Sequence, residues 1–284
     1  MEALTALQIT IGIFTQLIPV WVAMGIILSI SAYYRQRLGL YGHLFDSRVG
    51  TLGLLLVLFW VLTAILADLI ITHDPLAQIS GMKNKGIGFP VRGVEGTFYL
   101  LGGDNLARDI FSRVVMGCRT VLTIAPAATV FAFMVGITLG LPAGYRSGKL
   151  DTILSFLSNL VLAFPVILLF FLLVTPEIRS TGVPIYLAAV LFVFPIILFV
   201  VLFQSRFYTQ PVKRNIYVAI TLVLGFWAYS GLAFNMDPLG VFYMEPNLLN
   251  IFVAVVFVNS PTVFRIVRGL TLDIKTRDYV AAAE

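Results

Sequence analysis

The chain alternates long apolar runs with short charged turns. Uncharged stretches of about 20 residues, the length that crosses a ~30 Å hydrocarbon layer as a helix, lie near 8–33, 50–72, 120–144, 152–175, 184–204, 214–235 and 246–264. This pattern predicts an all-α fold, a polytopic bundle of about seven transmembrane helices. Six prolines fall in or at the edges of these runs: Pro19, Pro126, Pro142, Pro165, Pro195 and Pro261. Each removes a helix hydrogen bond, which makes either a kink beside a translocation path or a simple tolerated bend.

One charged stretch has helical spacing of its own. In "GGDNLARDIFSRVVMGCR" (102–119) Asp104 or Asn105 is placed to cap a helix, and Asp104/Arg108 and Asp109/Arg113 each set acid four residues before base. Ile110, Phe111, Val114, Val115 and Cys118 draw an apolar stripe, with Asn105, Arg108, Asp109, Ser112 and Arg113 on the other face. The expectation is a short amphipathic helix on the membrane surface leading into the next span. On the residues alone, a surface anchor and a more specific role are equally open. The Gly-rich piece 81–96 before it reads as an irregular external loop.

Composition places the chain outside the soluble class: of 284 residues, 59% are hydrophobic and 12% charged, and the mean hydropathy is +0.97. The net charge of +5 is read as a topology signal rather than as a nucleic-acid surface. With the N-terminus outside, 12 of the 19 basic residues fall on the cytoplasmic side: Arg35, Arg37, Arg48, Arg146, Lys149, Arg206, Lys213, Arg214, Arg265, Arg268, Lys275 and Arg277. The short loops opposite carry only Arg179. A single cysteine, Cys118, excludes an internal disulfide framework, and His43 and His73 read as solvated loop residues rather than ligands.

Catalytic chemistry finds no footing. "AGYRSGK" ends like a phosphate loop, but Ala143 and Leu150 stand where Gly and Ser or Thr are needed. Neither H-E-x-x-H nor G-x-S-x-G occurs. The spans hold almost no ionisable groups, Asp68 near an outer end being the main exception. A proton-coupled carrier would be expected to keep some in its path, which counts against that class.

Four segments, in order, resemble C-type permease subunits of the dipeptide/oligopeptide/nickel ABC importers. "LGGDNLARDIFSRVVMGCR" is similar to the family's L-G-T-D-x-x-G-R-D-x-x-S-R-x-x-x-G-x-R, matching at Leu101, Gly102, Asp104, Arg108, Asp109, Ser112, Arg113, Gly117 and Arg119. Gly103 replaces the usual Thr and Ala107 the second Gly. "AGYRSGKLD" (143–151) resembles the A-G-Y-x-x-G-x-x-D cytoplasmic turn, and "AFP", with Phe164 and Pro165, falls within the following span. "SPTVFRIVRGLTLDIKTRDYVAAAE" resembles P-x-x-x-R-x-V-R-G, from Pro261, running into the start of the coupling motif. Arg277, Asp278, Tyr279, Val280, Ala281, Ala282, Ala283 and Glu284 would form that coupling segment, with Ala281 where Glu is usual. Phe164, Pro165 and Pro261 become the candidates for kinks along a path.

The resemblance implies a type I importer fold. A first segment, 1–49, would be an extra helix and cytoplasmic loop. Residues 50–284 would be the permease domain, with an external loop at 73–118 and an inserted helical hairpin at 176–245. Measured against the family, the chain reads as C-terminally incomplete. The resemblance also implies a bacterial inner-membrane location, a second permease subunit, two ATP-binding subunits carrying ATP and Mg, and an extracytoplasmic binding protein delivering short peptides or similar solutes. No cofactor in this chain, no enzymatic activity of its own and no nucleic acid are expected. The competing class is an ATPase-independent carrier or scaffold, and residues 265–284 discriminate. There a short helix across the membrane surface is expected, serving either as a coupling element or as a basic lipid-binding segment.

Overall fold

Apolar runs become helices throughout the computed structural model, which describes residues 3–94 and 96–281. Five helices are long and apolar enough to cross a membrane, or up to seven if each of two bent pairs is one span. The polytopic helical architecture expected from the pattern is therefore present, and the chain is a multi-pass membrane protein. It divides into two units, Met1–Thr123 and Ile124–Glu284.

In the first unit, α1 (Ala6–Gln16) starts from a capping box, in which Thr5 Oγ1 accepts from Gln8 N and Gln8 Oε1 from Thr5 N. It breaks after Gln16 into α2 (Ile18–Tyr33), bent by 53°. Pro19 explains the break: it has no N–H to offer the Thr15 carbonyl, and its ring would collide with that carbonyl in a straight helix. Helix α3 (Arg48–Ile65) and the single turn α4 (Ala67–Ile70) follow. Leu17, Val20, Leu62, Ala67, Ile70, Phe111 and Val115 form the buried core of this unit.

The loop expected to be irregular is a small folded cap. Strands β1 (Phe89–Pro90) and β2 (Phe98–Tyr99) pair antiparallel, with Phe89 opposite Tyr99. Met82, Val91, Tyr99 and Ala107 cluster beneath them.

Helix α5 (Ile110–Arg146) then runs unbroken for 37 residues through Pro126 and Pro142. Thus the short surface helix expected at 102–119 does not exist as a separate element. Residues 104–108 are a turn, and the helix starts at Ile110 and passes directly into the span. Ala107 at φ 63 is in the left-handed region, which no right-handed helix through Asp104 could contain.

In the second unit α6 (Lys149–Ala163) and α7 (Val166–Val174) meet at an 87° bend. Phe164 there is extended, at φ −81 and ψ 139, as the residue before a proline must be to clear the ring. A single turn α8 (Pro176–Ser180), α9 (Val183–Leu191), α10 (Val193–Arg206) and α11 (Pro211–Phe234) follow. Helix α12 (Pro246–Lys275) is 30 residues long, and a last turn α13 spans Asp278–Ala281. Half of the apolar window of α12 is buried, against 11% in α11, so α12 is the centre of its unit and α11 its rim. Phe131, Phe192 and Phe252 interlock edge to face at the core, with ring centroids 5.2–5.7 Å apart.

The basic stretch 265–275 does not lie across a surface as a separate helix. It continues α12, because nothing between Pro261 and Lys275 stops a helix: Pro261 stays within the unbroken run and a Cβ on Gly269 would meet open space.

Candidate functional site

Two groups of motif residues are organised, one in each unit. The outer group gathers Gly102, Asp104, Arg108, Asp109, Ser112 and Arg113 around the start of α5. Gly102 has φ 82, and a Cβ on it would lie 2.5 Å from Lys85 O, so the glycine is needed both for conformation and for space. Ala107 takes up a positive φ where the resembled pattern has glycine. The turn is kept despite the substitution, because the Ala107 carbonyl accepts from Tyr99 Oη at 3.2 Å and from Ile79 N at 3.2 Å.

Asp104 closes this turn. Its Oδ1 accepts from Leu106 N (2.8 Å) and Arg108 N (3.0 Å), and its Oδ2 from Arg108 Nε (2.8 Å). The expected Asp104–Arg108 pair is present, on a turn rather than a helix face. Arg113 reaches Asp104 at 3.6 Å instead of pairing with Asp109.

Asp109 and Ser112, assigned by spacing to the polar face, are both fully buried. Asp109 is the residue that caps α5: Oδ2 accepts from Ser112 N (3.1 Å), Ser112 Oγ (2.6 Å) and Thr72 Oγ1 (2.9 Å). Ser112 Oγ in turn accepts from the backbone N–H groups of Thr72 and His73, each at 3.1 Å. His73, expected in solvent, is tucked in with Nδ1 3.6 Å from Asp109 and its ring edge-on to Tyr99. This knot ties the end of the chain segment after α4 to the first turn of α5.

Arg119 lies apart from the knot. It holds Asp68 with two hydrogen bonds (3.2 and 2.9 Å) and Ala64 O with a third (3.2 Å). Gly117 faces an apolar groove with Leu56, Val57 and Trp60.

These contacts make the cap acid-sensitive in a defined window. The Arg108 amide lowers the Asp104 carboxyl most; partial burial opposes it; the Arg108 guanidinium and Leu106 amide bring it to about 2 from 3.8. Burial pushes Asp109 up, but its polar contacts with His73, Ser112 and Thr72 outweigh burial and hold it below the usual range. A carboxyl lowered in the folded state contributes stability that is fully present above its unfolded value, about pH 4, and is lost as pH falls through the folded one. Hydrogen-exchange protection factors at Leu106 and Arg108 are therefore expected to be flat from pH 7 to about 4 and to fall below it. A loss already under way at pH 6 would contradict this assignment.

The second group lies where α6 meets α12. Asp151 accepts from Arg268 through both Nε and Nη2, the latter at 2.6 Å, and Ser155 Oγ donates to the same carboxylate at 3.1 Å. Along the same seam Arg265 Nη2 donates to Asn159 Oδ1 (3.0 Å) and Ser158 Oγ to Pro261 O (3.2 Å). Phe164 and Pro165 form the bend that ends α6.

On its other side α12 packs against glycines of α5. A Cβ on Gly136 would lie 2.5 Å from Val263 Cγ1, on Gly140 2.9 Å from Val267 Cβ, and on Gly144 2.7 Å from Thr271 Cβ. This stripe was missed in the sequence, although its four-residue spacing is the signal by which close helix approach is read. Lys275 Nζ donates to Tyr145 O at 2.6 Å.

Of the coupling segment, Arg277 pairs with Asp273 at 3.1 Å on the exposed surface, and Asp278 opens α13. Val280 N bonds back to Arg277 O. Tyr279 and Ala281 are described in their backbone alone, and Ala282, Ala283 and Glu284 lie outside the described residues. Among the described residues no group of three His, Cys, Asp or Glu could hold a metal ion.

Comparison with known proteins gives the same family as the motifs. The chain is 35% identical over 126 residues to the dipeptide transport system permease protein DppC of Haemophilus influenzae, covering 44% of this chain and 41% of that protein. It is 32% identical over 142 residues to the di/tripeptide transport system permease protein DppC of Pseudomonas aeruginosa, covering 49% and 46%. It is 46% identical over 69 residues to the glutathione transport system permease protein GsiD of Pectobacterium atrosepticum, covering 24% and 23%. In each case the chain spans less than half the length of the relative it matches. No protein-family profile matches the chain, and no solved structure does. In ordered motifs, helical architecture and these identities the chain is similar, over less than half of their length, to the permease proteins of peptide transport systems.

Proposed function

We propose that this chain is the transmembrane permease subunit of an ATP-binding-cassette importer in a bacterial inner membrane, lining part of the path for short peptides or similar small solutes. ATP and Mg belong to two separate ATP-binding subunits that grip the segment from Arg277 onward. A binding protein delivers substrate at the opposite face, and a second permease subunit completes the path.

The observation that carries the reading is the meeting of two motif segments 117 residues apart. Asp151 of the "AGYRSGKLD" turn holds Arg268 of the "RIVRG" segment through two nitrogens. A side-by-side carboxylate–guanidinium pair fixes orientation as well as distance. It therefore sets the direction in which the chain leaves α12 toward α13, as docking to another subunit requires. The bend at Phe164–Pro165 and the scarcity of ionisable groups in the spans support the same reading, since the energy then comes from outside this chain.

Thr276, the residue after α12, is exposed, and among the described residues its hydroxyl donates to Asp273 O. With Cys118→Ser removing the native thiol, a Thr276→Cys variant co-expressed with the ATP-binding subunits is expected to crosslink to them in membranes. The yield should change with ATP, because docking geometry follows the nucleotide state. No crosslink, together with substrate uptake that survives ATP depletion, would replace the importer by an ATPase-independent carrier.

A further inference from the structure

Helices α10 and α11 form a hairpin held along an aromatic seam. Tyr217 stacks on Phe203 and Phe207 with centroids 5.3 and 4.9 Å away, and Gly225 admits Ile196, whose Cγ1 lies 2.9 Å from where a Cβ would stand. Beside the seam a groove of about 390 Å³ opens between Phe199, Phe203, Ile220 and Leu224, with Phe131 of α5 at its inner wall. Its side chains are apolar except for Thr221, whose hydroxyl is already given to Tyr217 O at 2.8 Å, and Tyr229. Ile220 and Leu224 are half exposed, so the groove opens outward from the unit's rim.

No charged residue lines the groove itself, but each of its two helices carries a cation beyond the lining, toward the hairpin turn. Along α10, Phe199, Phe203 and Arg206 follow at i, i+4 and i+7. Along α11, Lys213, Tyr217, Ile220 and Leu224 follow at i, i+4, i+7 and i+11, so each cation shares the face of the groove lining. Arg206 and Lys213 are exposed and make no ion pair among the described residues. No Asp or Glu occurs between residues 178 and 236, so the hairpin cannot neutralise them itself. An apolar trough with two uncompensated cations beyond it on the same helix faces, at a helix turn, matches a molecule with a hydrocarbon chain and an anionic head.

We propose that this groove is a binding site for an anionic phospholipid, its acyl chain along Phe199, Ile220 and Leu224 and its headgroup phosphate between Arg206 and Lys213. The inference stands independently of the transport reading. Each cation near a lipid surface favours an anionic head about fivefold, so the pair should give a preference of roughly 25-fold over a zwitterionic lipid.

The test uses the whole chain in nanodiscs, with phosphatidylglycerol carrying a photoactivatable acyl chain and phosphatidylcholine carrying the same chain. Labelling by phosphatidylglycerol is expected on peptides within 199–228, about 25-fold above phosphatidylcholine. The Arg206→Gln/Lys213→Gln variant should drop it to the phosphatidylcholine level. Leu224→Trp, which fills the groove and leaves both cations in place, should cut it as strongly with unchanged helicity and unfolding temperature. Excess inorganic phosphate at constant ionic strength should leave the label in place. Equal labelling by the two lipids, indifference to either variant, or displacement by phosphate alone would each overturn the site; the last would indicate a free-anion site without a lipid tail.

Discussion

Replacing Asp109 by Ala is expected to cost about 3 kcal/mol of stability and to free the segment at Thr72 and His73 from the start of α5. Loss of a helix cap alone accounts for about 1 kcal/mol. The remainder follows from what the carboxylate leaves behind: the fully buried Ser112 hydroxyl, which donates to Oδ2, would lose its acceptor in a place water does not reach, and the half-buried Thr72 hydroxyl would lose one as well. Asp109→Asn retains one acceptor oxygen and nearly the same shape, so it should lose about half as much. Denaturant unfolding in detergent micelles, with proteolysis of the 72–109 cap as a second readout, would measure both. If Asp109→Ala unfolds within about 0.5 kcal/mol of the unsubstituted chain, the knot contributes nothing and the buried carboxylate needs another explanation.

The second large effect is expected at Gly136. Leu at this position must displace Val263 and the Phe264 backbone, whose nitrogen would lie 2.9 Å from the new Cβ. The neighbour is main chain, so it cannot swing away as a flexible side chain could. Overpacking of this kind costs roughly 1–3 kcal/mol, and the upper end is expected here because Gly140 and Gly144 would be levered from α12 with it. Gly53→Leu, on a face of α3 where a Cβ meets nothing, serves as the control and should change stability by less than about 0.5 kcal/mol. Matched unfolding curves for the two leucine variants would rule out close approach between α5 and α12 as a source of stability.

The spans were legible because burial in lipid demands long apolar runs and nothing else mimics them. Every apolar stretch found in the sequence is helical, and the bends at Pro19 and Pro165 fall where ring sterics put them. The outer motif was harder to read. Asp104/Arg108 and Asp109/Arg113 have perfect helical spacing, but only the first pair forms, on a turn made by the positive φ of Ala107, because Asp109 turns inward to Ser112 and Thr72 and Arg113 reaches Asp104 instead. Asp109 was assigned to the wet face because its partners Thr72 and His73 lie more than 35 residues upstream, and no local spacing rule reaches them. Residues 265–275 were expected to be separate because charge suggests a surface. Charge does not end a helix, whereas Pro and Gly do when conformation or space demands it. Asp151 and Arg268 were each present in a quoted segment, yet their pairing required the fold.

The unbroken passage of α12 from its buried core to Lys275 has a mechanical consequence. Thirty residues at 1.5 Å each make a rod of roughly 45 Å, about 15 Å longer than the hydrocarbon layer. That surplus is some ten residues, close to the stretch from Arg265 to Lys275 that holds three basic side chains. A stiff post of this kind has no joint between Phe252 and Lys275, so a tilt of its Lys275 end cannot be absorbed locally. Tilt at the protruding end must appear at once as tilt within the bilayer, with Gly136, Gly140 and Gly144 as the bearing against which the rod turns.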